Sequence, residues 1–402
     1  MNRAWETVNL GDICRITSSK RIFAKEYRTS GVPFYRGKEI IEKHNGRKVS
    51  NELYISKERY EEIRNKFDVP KKGDILLSSV GTLGVAWLVD EDEFYFKDGN
   101  LTWIRCNEKM IPGFLYLWLN SPSARNQINA MCIGSTQKAL TIETLKNFLV
   151  ELPPIETQKR ICRIIDPISN KIKTNNQINK NLIQQSQALY SAWFEQFLPF
   201  DGSMPSDWRI GTLGDIATIK TNSFNPQKNP GVMLEHYSIP AYDEQHFPFF
   251  ESSDNVKSNK YILTDNSVLA SKLNPDTKRI WRPMCLTGQA VCSTEFIVFE
   301  ANNSAHRDFL FSIIDSQFFS DWMCAHTTGS TNSRQRTTPS TTLEFKVNVA
   351  PDDVIDEFCA SVTPMYDLIS QNLLENQGLA SLRDSLLPKL MSGEIDVSNI
   401  EL

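Results

Sequence analysis

The chain has 402 residues, which is enough for two or three domains with ordinary cores. Its 44 Lys and Arg residues are slightly outnumbered by 48 Asp and Glu residues, which excludes a uniformly basic nucleic-acid-binding protein and allows only local basic patches. Eight cysteines without a CxxC pair predict reduced thiols, and the lack of a long apolar run predicts that no segment spans a membrane. We therefore expect a cytoplasmic protein.

The chain carries two copies of one pattern. Trp5-x4-Leu10-Gly11-Asp12-Ile13 returns as Trp208-x4-Leu213-Gly214-Asp215-Ile216. Further along each copy, Gly134-Ser135-Thr136 is matched by Gly329-Ser330-Thr331. Because order, spacing and loop chemistry all recur, the sequence predicts an internal duplication.

Both copies alternate strand and helix signals, which predicts mixed α+β domains. In the first copy we expect a helix over residues 57–65 and a β-hairpin in which Asp98-Gly99 joins a strand at 94–96 to a strand at 101–104. In the second copy we expect strands over residues 261–263, 268–270 and 295–299.

Each copy is followed by a stretch with the seven-residue apolar repeat of a coiled coil. The first seam is Ile161, Ile165, Ile168, Ile172, Asn175, Asn179, Leu182, Ser186, Leu189 and Trp193. The second seam is Met365, Leu368, Ile369, Asn372, Leu379, Leu382, Leu386 and Leu390, and Gly393 is the expected C-cap. Asp166-Pro167 and Thr363-Pro364 predict that each stretch breaks into a short and a long helix. Two narrow apolar faces favour an antiparallel pair, with two unrelated surface helices as the alternative.

These signals predict an α+β protein with two globular domains, separated by two long antiparallel coiled-coil helices and related by an internal pseudo-twofold repeat. We assign residues 1–152 to the first globular domain and residues 153–198 to a central helical spacer. Residues 199–350 form a linker and the second globular domain, and residues 351–402 form a C-terminal helical spacer and tail.

Sequence motifs for nucleotide binding, amino-group methylation or zinc binding are missing, so no active site is predicted. Polar and basic loops recur instead, and their side chains are of the types that read base edges or hold phosphates. The candidate DNA-binding residues are Lys20, Arg21, Arg36, Lys38, Ser135, Thr136, Gln137, Lys138, Lys220, Asn222, Lys272, Ser330, Thr331, Asn332, Arg334, Gln335 and Arg336. For each of them the alternative is an ordinary solvated loop.

The repeat and three further motifs resemble the specificity subunits of Type I restriction–modification systems over nearly the whole chain. The first is Leu152-Pro153-Pro154-Ile155-Glu156-x-Gln158-Lys159-Arg160-Ile161, and the second is Ala188-Leu189-Tyr190-x-x-Trp193-Phe194. The third runs from Leu382-Arg383-Asp384-Ser385-Leu386-Leu387-Pro388 to Ser392-Gly393-Glu394-Ile395. The second copy departs from the first motif, since it has Ala350-Pro351-Asp352-Asp353 in its place.

The resemblance implies two target recognition domains, each of which reads one half of a bipartite double-stranded DNA site, with the helices fixing the gap. It also implies that two methyltransferase (modification) subunits and motor-nuclease (restriction) subunits bind this chain. The candidate partner-binding residues are Gln158, Ile161, Tyr190, Trp193, Phe194, Leu386 and Leu390. The complex is expected to use S-adenosylmethionine, ATP and Mg, whereas this chain binds no cofactor and is not itself an enzyme. A stand-alone or orphan DNA-binding protein is the alternative, and a coiled-coil scaffold is a third reading.

Overall fold

The computed structural model describes residues 5–46, 49, 53–90, 93–131, 139–328, 335–398 and 400. It divides into two compact units: unit 1 contains Met1–Lys173 and Gly378–Leu402, and unit 2 contains Thr174–Gln377. Among the helices in the described ranges, none has the length and apolarity needed to cross a membrane.

Unit 1 is built from short strands and short helices. Its strands are β1 (Glu6–Asn9), β2 (Cys14–Thr17), β3 (Val32–Tyr35), β4 (Leu53–Ile55), β5 (Ile75–Ser78), β6 (Ala86–Leu88), β7 (Tyr95–Phe96), β8 (Leu101–Cys106) and β9 (Leu149–Leu152). Its helices are α1 (Leu10–Ile13), α2 (Gly37–His44), α3 (Lys57–Phe67), α4 (Pro112–Leu119), α5 (Pro122–Met131) and α6 (Ile142–Lys146), and they are followed by the long helix α7 (Ile155–Tyr190). Helix α3 confirms the predicted helix and is capped by the Ser56 hydroxyl, which accepts from the Arg59 N–H at 3.2 Å.

The core of unit 1 lies between a sheet and several helices. The sheet is antiparallel with strand order β2-β8-β5-β6. Its residues Ile75 and Ile104 are buried with Phe114 and Leu115 of α4. A second sheet has the order β4-β3-β7, in which β3 and β7 run parallel. The first and last strands, β1 and β9, pair antiparallel and close the block.

The predicted hairpin around Asp98-Gly99 is wrong. The turn is present, with Gly99 at φ 78°, but β7 pairs with β3 whereas β8 pairs with β2 and β5. The reason is burial on both faces: Tyr95 packs in one apolar cluster and Phe96 in another. Because both of its faces are buried, β7 lies between these two apolar clusters and pairs with β3 at the edge of the second sheet. The turn therefore carries the chain from one sheet to the next.

Unit 2 repeats this plan. Its strands are β10 (Arg209–Thr212), β11 (Ala217–Lys220), β12 (Ser223–Phe224), β13 (Met233–Tyr237), β14 (Phe249–Ser252), β15 (Lys260–Ile262), β16 (Ser267–Ser271), β17 (Ile280–Trp281), β18 (Ala290–Ser293), β19 (Phe296–Ala301), β20 (Thr327–Thr328), β21 (Arg336–Thr337) and β22 (Lys346–Val349). Its helices are α8 (Leu213–Ile216), α9 (Ile239–Gln245), α10 (Arg307–Ile314), α11 (Gln317–Ala325) and α12 (Pro339–Thr342), and the long helix α13 (Asp352–Met391) follows. Strands β15, β16 and β19 confirm the three strands expected in this copy.

The duplication is confirmed strand by strand. The ladder β10–β22 matches β1–β9, and the sheet β11-β19-β16-β17 matches β2-β8-β5-β6. The parallel pair β13–β18 matches β3–β7. Single hydrogen bonds recur too, since Asn107 N donates to Ile13 O at 3.0 Å and Asn302 N donates to Ile216 O at 2.8 Å. The two copies therefore share this core topology, and unit 2 adds β12 and β15 to its second sheet.

The helix breaks predicted at Pro167 and Pro364 are wrong, because α7 and α13 are each continuous through their proline. Both prolines are solvent-exposed, and buried residues such as Ile165 and Tyr366 lie close to them in the chain. An internal proline costs about 3 kcal/mol, whereas each fully buried apolar side chain of the seam stabilises the fold by about 1.5–3 kcal/mol. Continuous burial of the seam therefore outweighs the lost helix hydrogen bond.

The polar middle of the seam forms a ladder of amides within unit 2. Asn372 donates to Asn179 at 2.8 Å, and Asn175 donates to Asn376 at 2.9 Å, so residue numbers fall along α13 as they rise along α7. This pairing confirms the antiparallel helices. In unit 1, Ile161 and Ile165 of α7 share a core with Leu387 and Leu390 of α13. The predicted seam members Leu368 and Leu382 are exposed instead, at 40% and 47%.

Candidate nucleic-acid interface

In unit 1 several predicted loops meet at one end of the core sheet. Ser79, which follows β5, donates its N–H to Asn100 O at 2.8 Å, just ahead of β8. Leu140 N donates to Ser79 O at 2.9 Å, and Val80 bridges Ala139. The segment that follows the Gly134-Ser135-Thr136 loop is thereby fastened to the loop between β5 and β6.

Lys20 and Arg21 follow β2 at the same end of the sheet. The Lys20 N–H donates to the Tyr95 hydroxyl at 2.7 Å, and its ammonium lies 4.5 Å from the centre of the Phe67 ring. Arg21 Nε donates to Asp98 at 2.9 Å, while 67% of the Arg21 side chain stays exposed. Surface ion pairs of this kind are weak, so both cations remain available to a phosphate.

Arg36 and Lys38 have unequal positions. Arg36 forms hydrogen bonds of 2.6 Å and 3.1 Å to Glu39, whose side chain is 0% exposed. Burial alone would raise the pKa of Glu39, but the hydrogen bonds and charge of Arg36 hold it below its ordinary value. Arg36 therefore stabilises the start of α2 and carries little uncompensated charge. Lys38 is more open, since 59% of its side chain is exposed and its Nζ lies 3.9 Å from Glu42.

In unit 2 the corresponding loops are joined around Lys272. Lys272 N donates to Glu295 O at 3.0 Å, and Thr337 N donates to Lys272 O at 3.0 Å. Leu273 bridges Arg336, and Asn274 N donates to Gln335 O at 2.9 Å. Arg336 is exposed, while Lys272 and Gln335 are half-buried. The structure thus brings together three of the predicted residues.

Lys220 is the last residue of β11, and Asn222 follows that strand. Lys220 Nζ lies 3.9 Å from Glu300, and the Asn222 carbonyl accepts from Ile262 N at 2.8 Å. The other predicted DNA-binding residues lie outside the described residues; they are Ser135, Thr136, Gln137, Lys138, Ser330, Thr331, Asn332 and Arg334.

Most of the predicted partner-binding residues form the chain's own core, so their motifs shape the fold. Gln158 is 0% exposed: its Oε1 accepts from Ile111 N at 2.8 Å, and its Nε2 donates to Lys109 O and Pro153 O, both at 2.9 Å. Four apolar members are also buried; they are Ile161, Tyr190, Phe194 and Leu390. Contact with a partner stays a prediction for the half-exposed Trp193 and Leu386.

Ser79, Asn100 and Glu295 are the residues that sequence reasoning missed, because it looked for basic and amide side chains on loops. They hold the loop ends together through the main chain, which no residue type reveals. Close alignment of the two copies is the signal that leads to them. Within the described residues, no three His, Cys, Asp or Glu side chains are grouped as metal ligands would be.

Comparison with known proteins identifies the family. The type I restriction modification DNA specificity domain matches residues 2–184. The MjaIX specificity subunit, from a type I restriction enzyme of Methanocaldococcus jannaschii, is 22% identical over 98% of this chain and 94% of its own length. Residues 2–184 belong to the type I restriction modification DNA specificity domain family, and the chain as a whole is similar to specificity subunits of type I restriction enzymes.

Two further comparisons extend this result. A specificity-subunit relative in Haemophilus influenzae is 33% identical over 200 residues. This match spans about half of each protein, 48% of this chain and 48% of the relative. The crystal structure of the S subunit of a Type I restriction–modification system from M. genitalium covers 97% of both chains, with a TM-score of 0.61 at 15% identity. The two chains therefore share a fold.

Proposed function

We propose that this specificity subunit reads a bipartite, asymmetric DNA site, with each globular unit acting as a target recognition domain for one half. The observation that carries the proposal is the recurring loop arrangement. The main-chain contacts that join Ser79 to Asn100 and Leu140 in unit 1 recur around Lys272 in unit 2. Two equivalent surfaces on one chain suit a DNA site with two halves.

The gap between the halves is proposed to depend on the paired helices. A buried amide pair in a coiled coil specifies one register, because any other register leaves the amides without partners. Asn179 and Asn372, which are 9% and 7% exposed, form such a pair in unit 2. A fixed register gives the spacer one length, and one length selects one gap.

The reactions themselves are assigned to partners, and this chain is proposed to be non-catalytic. Two methyltransferase subunits would supply S-adenosylmethionine, and restriction subunits would supply the ATP- and Mg-dependent cleavage, in a cytoplasmic complex. The relative that matches almost the full length of this chain is named a specificity subunit, which supports a role in selecting the DNA site. Trp193, Leu386 and the 47% exposed Leu382 offer apolar surface to those partners.

Sequencing of methylated adenines tests this function. Genomic DNA is compared from cells that produce the chain with its modification subunit and from cells that produce either protein alone. We expect a bipartite motif with a fixed unspecified gap only when both proteins are present. If the chain alone selects a DNA sequence and no methylation motif arises with the partner, the alternative hypothesis of a stand-alone DNA-binding protein is correct instead.

A pair of variants, compared by DNA binding at several salt concentrations, tests the interface of unit 1. Lys20→Ala with Arg21→Ala removes two cations at the loops, and Arg64→Ala with Lys66→Ala removes two cations of comparable exposure, 57% and 61%, from α3. The first variant should weaken DNA binding and lower the salt dependence of log K by about 1 for each phosphate that is no longer neutralised. Equal effects of both variants would show that these loops are not the DNA surface.

A further inference from the structure

Three matched backbone contacts make particular positions of the two units equivalent. Ser79 N to Asn100 O in unit 1 matches Lys272 N to Glu295 O in unit 2. Leu140 N to Ser79 O matches Thr337 N to Lys272 O. The Val80–Ala139 bridge matches the Leu273–Arg336 bridge. Asn100 therefore corresponds to Glu295, and Ala139 corresponds to Arg336.

The side chains at these equivalent positions differ in chemistry. In unit 2 the Glu295 carboxylate holds the Arg336 guanidinium with two hydrogen bonds, Nε to Oε2 at 3.1 Å and Nη2 to Oε1 at 3.0 Å. The Arg336 side chain is still 46% exposed, and that of Glu295 is 32% exposed. In unit 1 the corresponding Ala139 has no group that can bind a base edge or a carboxylate. The supported arginine belongs to one unit only.

The Glu295 carboxylate binds one edge of the Arg336 guanidinium and leaves a defined set of N–H donors on that guanidinium. Glu295 occupies Nε and one hydrogen of Nη2, so the Nη1 and Nη2 hydrogens at the far end of the guanidinium point away from the protein pair. Two parallel donors at that spacing fit the O6 and N7 acceptors of guanine in the major groove, which is the commonest specific contact of arginine.

We propose that Glu295 is a positioning residue that orients Arg336 to read one guanine, in the DNA half-site of unit 2 only. This inference rests on the proposed function, because it needs the loop end of unit 2 to face DNA. It adds the identity of a base and the residue that makes the contact selective.

Two features of the site support base reading over a simple phosphate contact. The Glu295–Arg336 pair has no net charge, so it adds little to the electrostatic attraction that dominates phosphate binding. The main chain next to both members of the pair is also fixed by hydrogen bonds to Lys272. Lys272 N donates to Glu295 O, and Lys272 O accepts from Thr337 N, next to Arg336. Because Glu295 neutralises the Arg336 guanidinium and holds it in place, the guanidinium loses little conformational freedom on binding. It then distinguishes bases by the geometry of its two parallel donors.

The test measures base preference at every position of the site. The full chain, co-produced with its modification subunit, methylates a plasmid library in which each position of the bipartite site is randomised. Arg336→Lys keeps the positive charge but removes the fork, and Glu295→Gln keeps the shape but removes the carboxylate. We expect Arg336→Lys to relax one G·C position in one half-site by about ten- to a hundredfold, and Glu295→Gln to relax the same position less.

Arg209→Lys is the matched control, because Arg209 is 59% exposed, pairs with Asp215 at 2.9 Å and lies in the β10–β22 ladder. It should leave the motif unchanged. A uniform loss of methylation across all sites in Arg336→Lys, without a change of motif, would overturn the inference and make Arg336 a phosphate contact. Relaxation at an A·T position would overturn it too. If the wild-type chain gives no bipartite motif, the proposed function itself fails.

Discussion

Arg282 joins two acidic residues in unit 2, and its removal gives the sharpest stability prediction. It donates to Asp308 through Nε at 2.7 Å and Nη2 at 3.0 Å, and to Asp367 of α13 at 2.8 Å. The exposed fractions are 9% for Arg282, 4% for Asp308 and 54% for Asp367. The first pair is therefore buried, while the second is at the surface.

Arg282→Met should destabilise unit 2 by about 3 kcal/mol. Breaking a buried pair from one side costs about 3–5 kcal/mol, because it leaves the other charge without compensation. The lower end applies since Arg307 stays 3.2 Å from Asp308. For a unit of this size the destabilisation corresponds to a fall in Tm of about 6–12 °C. Asp367→Asn is the control and should cost less than about 1 kcal/mol, because its pair is exposed.

The pH dependence separates this mechanism from a simple loss of packing. Burial alone would raise the pKa of Asp308, but the hydrogen bonds and charge of Arg282 hold it below its ordinary value. The stability that Asp308 contributes is thus present at neutral pH and is lost as the pH falls below about 4. Without Arg282 burial dominates and the pKa rises, so protonation relieves the defect. The deficit of the variant should shrink as the pH falls from about 7 to 5.

Hydrogen exchange with mass spectrometry is the suitable assay, because it follows each unit in the intact chain. Peptides from β16, β17 and α10 should lose protection in Arg282→Met, while peptides from the core sheet of unit 1 serve as an internal reference. A loss of stability in Arg282→Met below about 1 kcal/mol, or a loss that is the same at pH of about 7 and about 5, would refute the assignment of an uncompensated buried charge.

Two further substitutions test the helices. Gln158→Leu removes the side-chain partner of three main-chain groups, Ile111 N, Lys109 O and Pro153 O, and should lower stability by about 3 kcal/mol. Lys159→Leu, on the exposed side of the same turn, should not lower it, and equal effects of the two variants in thermal unfolding would show that Gln158 is not structural. Asn179→Leu with Asn372→Leu replaces a buried amide pair by apolar side chains and should raise stability by about 1–3 kcal/mol, at the cost of register specificity. Asn181→Leu, at an exposed position, should change the stability little. A lower Tm for the double variant would show that the buried amide pair stabilises the fold and does not cost stability.

The sequence predicted what depends on repetition and periodicity. The duplication and the polar middle of the helix seam were recognisable because each is written several times in the chain. The strands β15, β16 and β19 were predictable from their local composition. These features need no knowledge of which distant segments meet.

The errors share a different cause. Asp98-Gly99 gives the local signal of a hairpin, but the packing of Tyr95 and Phe96 in separate clusters sends the two strands into different sheets. Pro167 gives the local signal of a helix break, but burial of the seam overrides it. Gln158 and Glu295 owe their roles to groups far along the chain, such as Ile111 and Arg336. Long-range packing and pairing decided each case, and a local pattern does not contain them.

The composition of unit 1 has a consequence for synthesis. Residues 5–173 leave the ribosome first, yet their core also contains Leu387, Leu390, Met391 and Val397, which are made only after all of unit 2. Unit 2 is one continuous segment, Thr174–Gln377, and waits for nothing further along the chain. The growing polypeptide therefore completes its second block before its first. In that interval the early block has uncovered apolar surface, which is when a nascent chain depends most on chaperones and is most exposed to aggregation.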